Sequence, residues 1–144
     1  MYFDCCCLNR PFDDQSNPLV NLEAYAVRNL LALCERKVFV MITSEVLRDE
    51  IDAIPDLIKR EKVKALESIA VELVRLNDKL IERAKYFESL KIGAYDALYL
   101  ACAEEKADIF FTVDKKLLKK TKKIYDLKIE VWNPIRLLEK FYES

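Results

Sequence analysis

GAYDALYLACAEEKADIFFTVDKKLL, residues 93–118, decides the fold. Its first half is apolar around most of its circumference, with Asp96 the one charge in AYDALYLACA. That pattern predicts a helix over 94–107 packed inside the protein. Ile109–Val113 follows, a nearly continuous apolar run of strand length, the mark of a strand covered on both faces. A second helix is expected over 114–124. A helix, a strand dry on both sides and another helix form the repeating unit of a parallel sheet between helical layers. Working outward, Tyr2–Phe3 leading into Cys5–Cys7, Val38–Ile42 and Ile129–Trp132 read as further buried strands. Helices are expected over 18–35, 44–53, 56–70, 76–90 and 134–142. Pro18, Pro55 and Pro134 stand at or near helix starts, where a missing N–H costs nothing. Ile69–Val74 reads equally as a helix end or an extended stretch. The expected fold is a three-layer α/β/α sandwich with a central, mainly parallel sheet. With no repeat, linker or low-complexity stretch, residues 1–144 form one domain.

Composition removes most familiar chemistry. At 144 residues, 52% hydrophobic and 34% charged, the chain can fill and cover one core. Its 24 basic and 25 acidic residues give a net charge of −1, so nucleic acid could be held only by a local patch. The absence of histidine excludes Ser-His-Asp and Cys-His pairs and every histidine-bearing metal site. A single glycine, Gly93, excludes the Gly-rich phosphate and dinucleotide loops. Cys5, Cys6, Cys7, Cys34 and Cys102 form neither a disulfide framework nor a CxxC zinc pattern, and read as small buried hydrophobes in a reducing compartment. MYFDCCC carries an acid and no basic residue ahead of its apolar stretch, unlike a signal peptide. No apolar run approaches the ~18 residues of a membrane span. A soluble, cytoplasmic protein is expected.

Four carboxylates occupy unusual places. Asp4 closes the first strand's opening residues, Glu45 follows VFVMIT and one serine, and Asp114 directly follows IFFTV. Ligands of open parallel sheets bind beyond the carboxyl ends of the strands, where these three acids fall. Asp96, on the apolar helix, needs a partner, a cap or an ion. Each acid singly also reads as a helix cap or a strand-ending loop residue. Together they would repel one another and raise at least one pKa unless cations offset the charge. An all-carboxylate site selects hard Mg²⁺ or Mn²⁺, which suit phosphate substrates.

These residues resemble the PIN-domain nucleases, including the toxins of bacterial and archaeal toxin–antitoxin pairs. The resemblance runs from YFDCC through the S-E-V pair to GAYDALYLACAEEKADIFFTVDKKLL. Its D-A-L-x-L-A helix, A-D strand entry and T-x-D exit are the strongest part. It implies a metal-dependent endoribonuclease with Asp4, Glu45, Asp96 and Asp114 as its acidic quartet and Mg²⁺ or Mn²⁺ as cofactor. It also implies an RNA substrate and a homodimer and, for toxin members, an antitoxin partner. The chain departs from the family at Cys6, where many members carry a hydroxyl or amide. It departs again at Lys115 and Lys116, where some carry a further acid. Thr112 keeps the hydroxyl that often accompanies the last acid.

Six lysines of DKKLLKKTKKI, among them Lys115, Lys116 and Lys119, share a helical arc of roughly 160°. They read either as a solvated face or as a phosphate-tracking stripe beside Asp114. Arg10, in the polar Asn9–Asn17 loop, is a further candidate phosphate contact. Two other functions use the same residues: a non-catalytic PIN scaffold that binds RNA or a protein, and a receiver-like module phosphorylated on aspartate.

Overall fold

The computed structural model describes residues 1–143; Ser144, the last residue of the expected domain, lies outside the described residues. Five short strands, β1 (Tyr2–Phe3), β2 (Ile42–Ser44), β3 (Glu72–Val74), β4 (Ile109–Phe111) and β5 (Glu130–Trp132), form one sheet. Their order is β3-β2-β1-β4-β5 and every pairing is parallel. Eight helices connect and cover them: α1 (Cys5–Asn9), α2 (Pro18–Glu35), α3 (Glu45–Asp52), α4 (Leu57–Glu67), α5 (Asp78–Ser89), α6 (Ala94–Lys106), α7 (Lys115–Thr121) and α8 (Pro134–Glu143). The fold is the expected three-layer α/β/α sandwich.

The sheet centre is aromatic. Tyr2 pairs in register with Phe110, and Phe3 with Phe111, and each couple stacks, with centroids 5.5 and 4.9 Å apart. All four rings are fully buried, Tyr2 and Phe3 on opposite faces of the strand. This accounts for the continuous hydrophobicity of β1 and β4: helices cover both faces. Tyr2 satisfies its hydroxyl on Ser44 Oγ at 2.7 Å, so even the polar tip of the core stays paired. One cluster of buried apolar side chains joins both helical layers through the sheet. Between α5 and α6, Arg83 grips Glu104 with two nitrogens (2.8 and 3.0 Å), bonds Asp126 and lies over the Phe87 ring.

Three sequence expectations change and one open reading resolves. Cys5–Cys7 is not strand: the Asp4 side chain accepts the Cys7 amide and turns the chain into α1 after two residues of β1. Val38–Val40 precedes β2 instead of forming it, with Val38 and Val40 about half exposed (49% and 55%). Ile69–Val74 resolves into an approach and the edge strand β3. The expected helix 114–124 stops at Thr121, so Lys122 and Lys123 leave the helical stripe. Cys5, Cys7, Cys34 and Cys102 are buried as expected, whereas Cys6 is partly open.

Candidate functional site

The carboxyl ends of β1 and β4 lie side by side at the sheet centre, and the chain leaves both through an acid that caps the next helix. Asp4 is buried (3% exposed) and its amide still pairs with Phe111 O at 3.1 Å. Its Oδ1 accepts the Cys7 amide at 3.0 Å and the Cys6 thiol at 2.9 Å. Asp114 is exposed and accepts the amides of Lys116 (2.9 Å) and Leu117 (3.3 Å) at the start of α7. Asp96 stands in the first turn of α6 and is half-buried; Gly93, not Asp96, holds the cap position. The capping reading therefore describes Asp4 and Asp114, while Asp96 meets only the positive dipole end of α6.

These three acids line one cavity of about 280 Å³, together with Cys5, Cys6, Arg10, Glu50, Tyr99 and Val113. Glu45 does not line it. Its side chain is 38% exposed and stands 3.7 Å from Arg75. Glu50 takes the fourth acidic place, its Oε2 accepting the Tyr99 hydroxyl. Helical spacing explains the exchange. Val46, Leu47 and Ile51 are the buried residues of α3, and Glu50 lies four and three positions after the first two, on the same face. Glu45, five residues earlier, points about 140° away. An acid at i+4 from one buried apolar residue and i+3 from the next was the signal available for Glu50.

The electrostatics follow from this crowding. Burial pushes the Asp96 carboxyl up to about 6, and the nearby Asp4, Asp114 and Glu50 charges add to the shift while Lys120 opposes it. Burial also drives Asp4 well above its usual range, and the adjoining Cys6 adds to that. The Thr112 hydroxyl and the Cys7 amide pull Asp4 the other way.

The remaining candidates separate. Thr112 is fully buried, and its hydroxyl accepts the Asp114 amide at 3.1 Å while facing Cys6 at 3.6 Å, so it supports the acids from behind. Arg10 does reach the cavity, but two carboxylates hold its guanidinium: buried Glu23 (3.0 Å) and Asp13 (3.2 Å). Asn133 closes the other oxygen of Glu23 at 2.6 Å. Lys115, Lys116 and Lys119 are exposed on α7 outside the cavity lining.

The donor chemistry fits a hard divalent cation: carboxylate oxygens from Asp4, Glu50, Asp96 and Asp114 line one cavity. As the side chains stand, no three His, Cys, Asp or Glu groups among the described residues converge on one point, so ligation needs rotamer changes. Among the described residues no helix is long and apolar enough to cross a membrane. The chain matches no family model and no curated protein.

Proposed function

We propose that the protein is a Mg²⁺- or Mn²⁺-dependent endoribonuclease of PIN type, acting at the cavity formed by Asp4, Glu50, Asp96 and Asp114. One observation carries this reading. Asp96 is lifted to about 6 by burial and by three further acids, none of which is an ion-pair partner, and it caps nothing. The helix dipole at the first turn of α6 favours this charge, but burial and crowding oppose it more strongly. Strongly perturbed titratable residues in a cleft mark functional sites.

When bound, a divalent ion supplies Lewis-acid activation of water and charge neutralisation at the phosphorus during in-line displacement. The chain's own residues set the stage for it. Helix amides fix Asp4 and Asp114 at Oδ1, which sets the orientation of both carboxylates at the cavity wall. Tyr99 orients Glu50 by donating to Oε2. Asp96, raised to about 6, is a carboxylate able to take a proton from attacking water near neutral pH. Arg10, aligned by Glu23 and Asp13, borders the same space. The resemblance extends the proposal to a toxin of a toxin–antitoxin pair; the cavity itself bears on cleavage alone.

The test is cleavage of a mixed single-stranded RNA by the purified chain, with chelator, then with Mn²⁺ restored. Cleavage should require the ion, disappear in Glu50→Gln and persist within about twofold in Glu45→Gln. Metal-independent cleavage, or loss at Glu45 but not at Glu50, would overturn the assignment. Acetyl-phosphate labelling of an aspartate would favour the receiver-like module instead.

A further inference from the structure

Seven lysines gather on one side of the acidic cavity. Lys115, Lys116, Lys119 and Lys120 stand on α7, Lys122 and Lys123 on the turn that ends it, and Lys120 reaches Lys91 on the α5–α6 turn. None forms an ion pair among the described residues. In a chain of net charge −1, that is a strongly local concentration of unneutralised cations.

Only part of this cluster is shaped. Lys91, Lys120 and Lys123, with Leu90 and Ile124, line a groove of about 320 Å³ that has no acid in its wall. Its two sides are fixed to each other. The Lys120 ammonium donates to the Lys91 carbonyl at 2.9 Å. Lys91 itself holds a left-handed backbone (φ 69°), and its turn is closed by hydrogen bonds from the Lys91 amide to Glu88 O and from the Ile92 amide to Phe87 O. One donor spent on a carbonyl leaves the ammonium two for a ligand. Chain and charge link the groove to the acids. Lys91 precedes Asp96 by five residues, and the Lys120 charge acts directly on the Asp96 carboxyl.

A groove lined by three lysines and two apolar residues suits a phosphate–sugar backbone: charge for the phosphates, Leu90 and Ile124 for the sugar faces. Cavities of about 280 and 320 Å³ lie at the small end of ligand sites, and a charged groove that tracks one backbone is how single strands are held. An acidic pocket repels a polyanion, so a flanking cationic groove is what would hold the strand in place.

We propose that the groove between the α5–α6 turn and α7 carries the backbone of single-stranded RNA to one side of the cleaved bond, with Lys91, Lys120 and Lys123 as its phosphate contacts. This assignment rests on the nuclease reading of the acidic cavity. It also divides the lysine cluster: these three contact substrate, and the outward lysines of α7 form a solvated face.

The experiment measures binding and cleavage separately. Anisotropy of a labelled twelve-nucleotide single strand is followed in chelator over a series of salt concentrations. The proteins are wild type, Lys91→Gln/Lys120→Gln/Lys123→Gln, single Lys120→Gln and Lys123→Gln variants, and a Lys37→Gln/Lys79→Gln/Lys128→Gln control. The control removes equal charge from exposed residues that line neither cavity. The log–log salt slope should fall by about 2 in the groove triple and by about 0.7 in each single variant, at about 0.7 per phosphate contact, and hold in the control. Should the triple fail to fold, the single variants carry the test. Unchanged slopes in a wild type that cleaves with Mn²⁺ would remove the groove and leave the nuclease. Groove-dependent binding by a wild type that cleaves nothing would remove the nuclease reading and this assignment with it. A duplex that binds as tightly, with the same loss of slope, would overturn the choice of single strand.

Discussion

Asp96 shows how one carboxylate carries a stability cost that points to its use. Its pKa is about 6 against an ordinary 3.8. The folded protein therefore keeps a proton that the unfolded chain releases as pH rises through that interval. Stability falls across the window from about 4 to 6, and the full penalty is present above it. At 1.36 kcal/mol per unit, and with the side chain still partly solvated, the penalty is on the order of 2 kcal/mol. In chelator, Asp96→Asn should thus raise the unfolding free energy at pH 7.5 and leave it nearly unchanged at pH 4.5. Urea denaturation at both pH values checks this, with equal effects at both sinking the argument. The same physics explains what could be read from sequence. Asp4 and Asp114 follow apolar strand runs, and Asp96 interrupts an apolar helix, so each stands out against hydrophobic neighbours. Glu50 sits in EVLRDEID among other charged residues, and only the helical phase of Val46 and Leu47 sets it apart. Glu45 offered the more visible position, directly after a strand. Strand-end position says where the chain is; side-chain direction decides what it reaches.

At the scale of elements, the acids do two jobs that substitution can separate. Asp114 caps α7 through the Lys116 and Leu117 amides, a seven-residue helix with little else to start it. Asparagine caps nearly as well as aspartate, whereas alanine loses about 1 kcal/mol. Asp114→Asn should keep the wild-type melting temperature and Asp114→Ala should lower it, while both lose metal-dependent cleavage. Cleavage retained in Asp114→Asn would make the residue a cap and nothing more. Capping also explains which elements were legible. The span 18–35 coincides with α2 because Asn17 caps it and Pro18 begins it. The CCC run was read as strand because a short apolar stretch has no period to distinguish it from a buried helix turn. What ends β1 is a side-chain hydrogen bond from the Cys7 amide to Asp4, a three-dimensional event. Val38–Val40 failed for the complementary reason: β-branched composition describes a preference for extended backbone, and Val38 and Val40 are extended-prone residues left outside the sheet.

Across the whole molecule, charge is balanced in sum and segregated in space. Acids converge beyond the sheet's carboxyl edge, unneutralised lysines flank them, and ion pairs such as Arg83–Glu104 and Arg10–Glu23 occupy the rest. A near-zero net charge means that added salt changes global self-repulsion little. Stabilisation by a divalent ion must then come from a site. Binding to the folded state alone adds RT ln(1 + [L]/Kd), about 2.7 kcal/mol at one hundred times Kd. For a domain of this size that corresponds to a rise of roughly 8 °C in melting temperature, at about 3 °C per kcal/mol. Wild type should therefore gain stability logarithmically with Mn²⁺ or Mg²⁺ beyond what NaCl of equal ionic strength gives. Asp4→Asn/Asp96→Asn should start from a higher metal-free melting temperature, because the crowded carboxylates are gone, and gain almost nothing from the ion. The two curves should converge as metal is added. Thermal melts over a metal titration read this directly. Parallel curves would show that the ion acts elsewhere on the protein, and a flat wild-type curve would show that these carboxylates hold no metal at all.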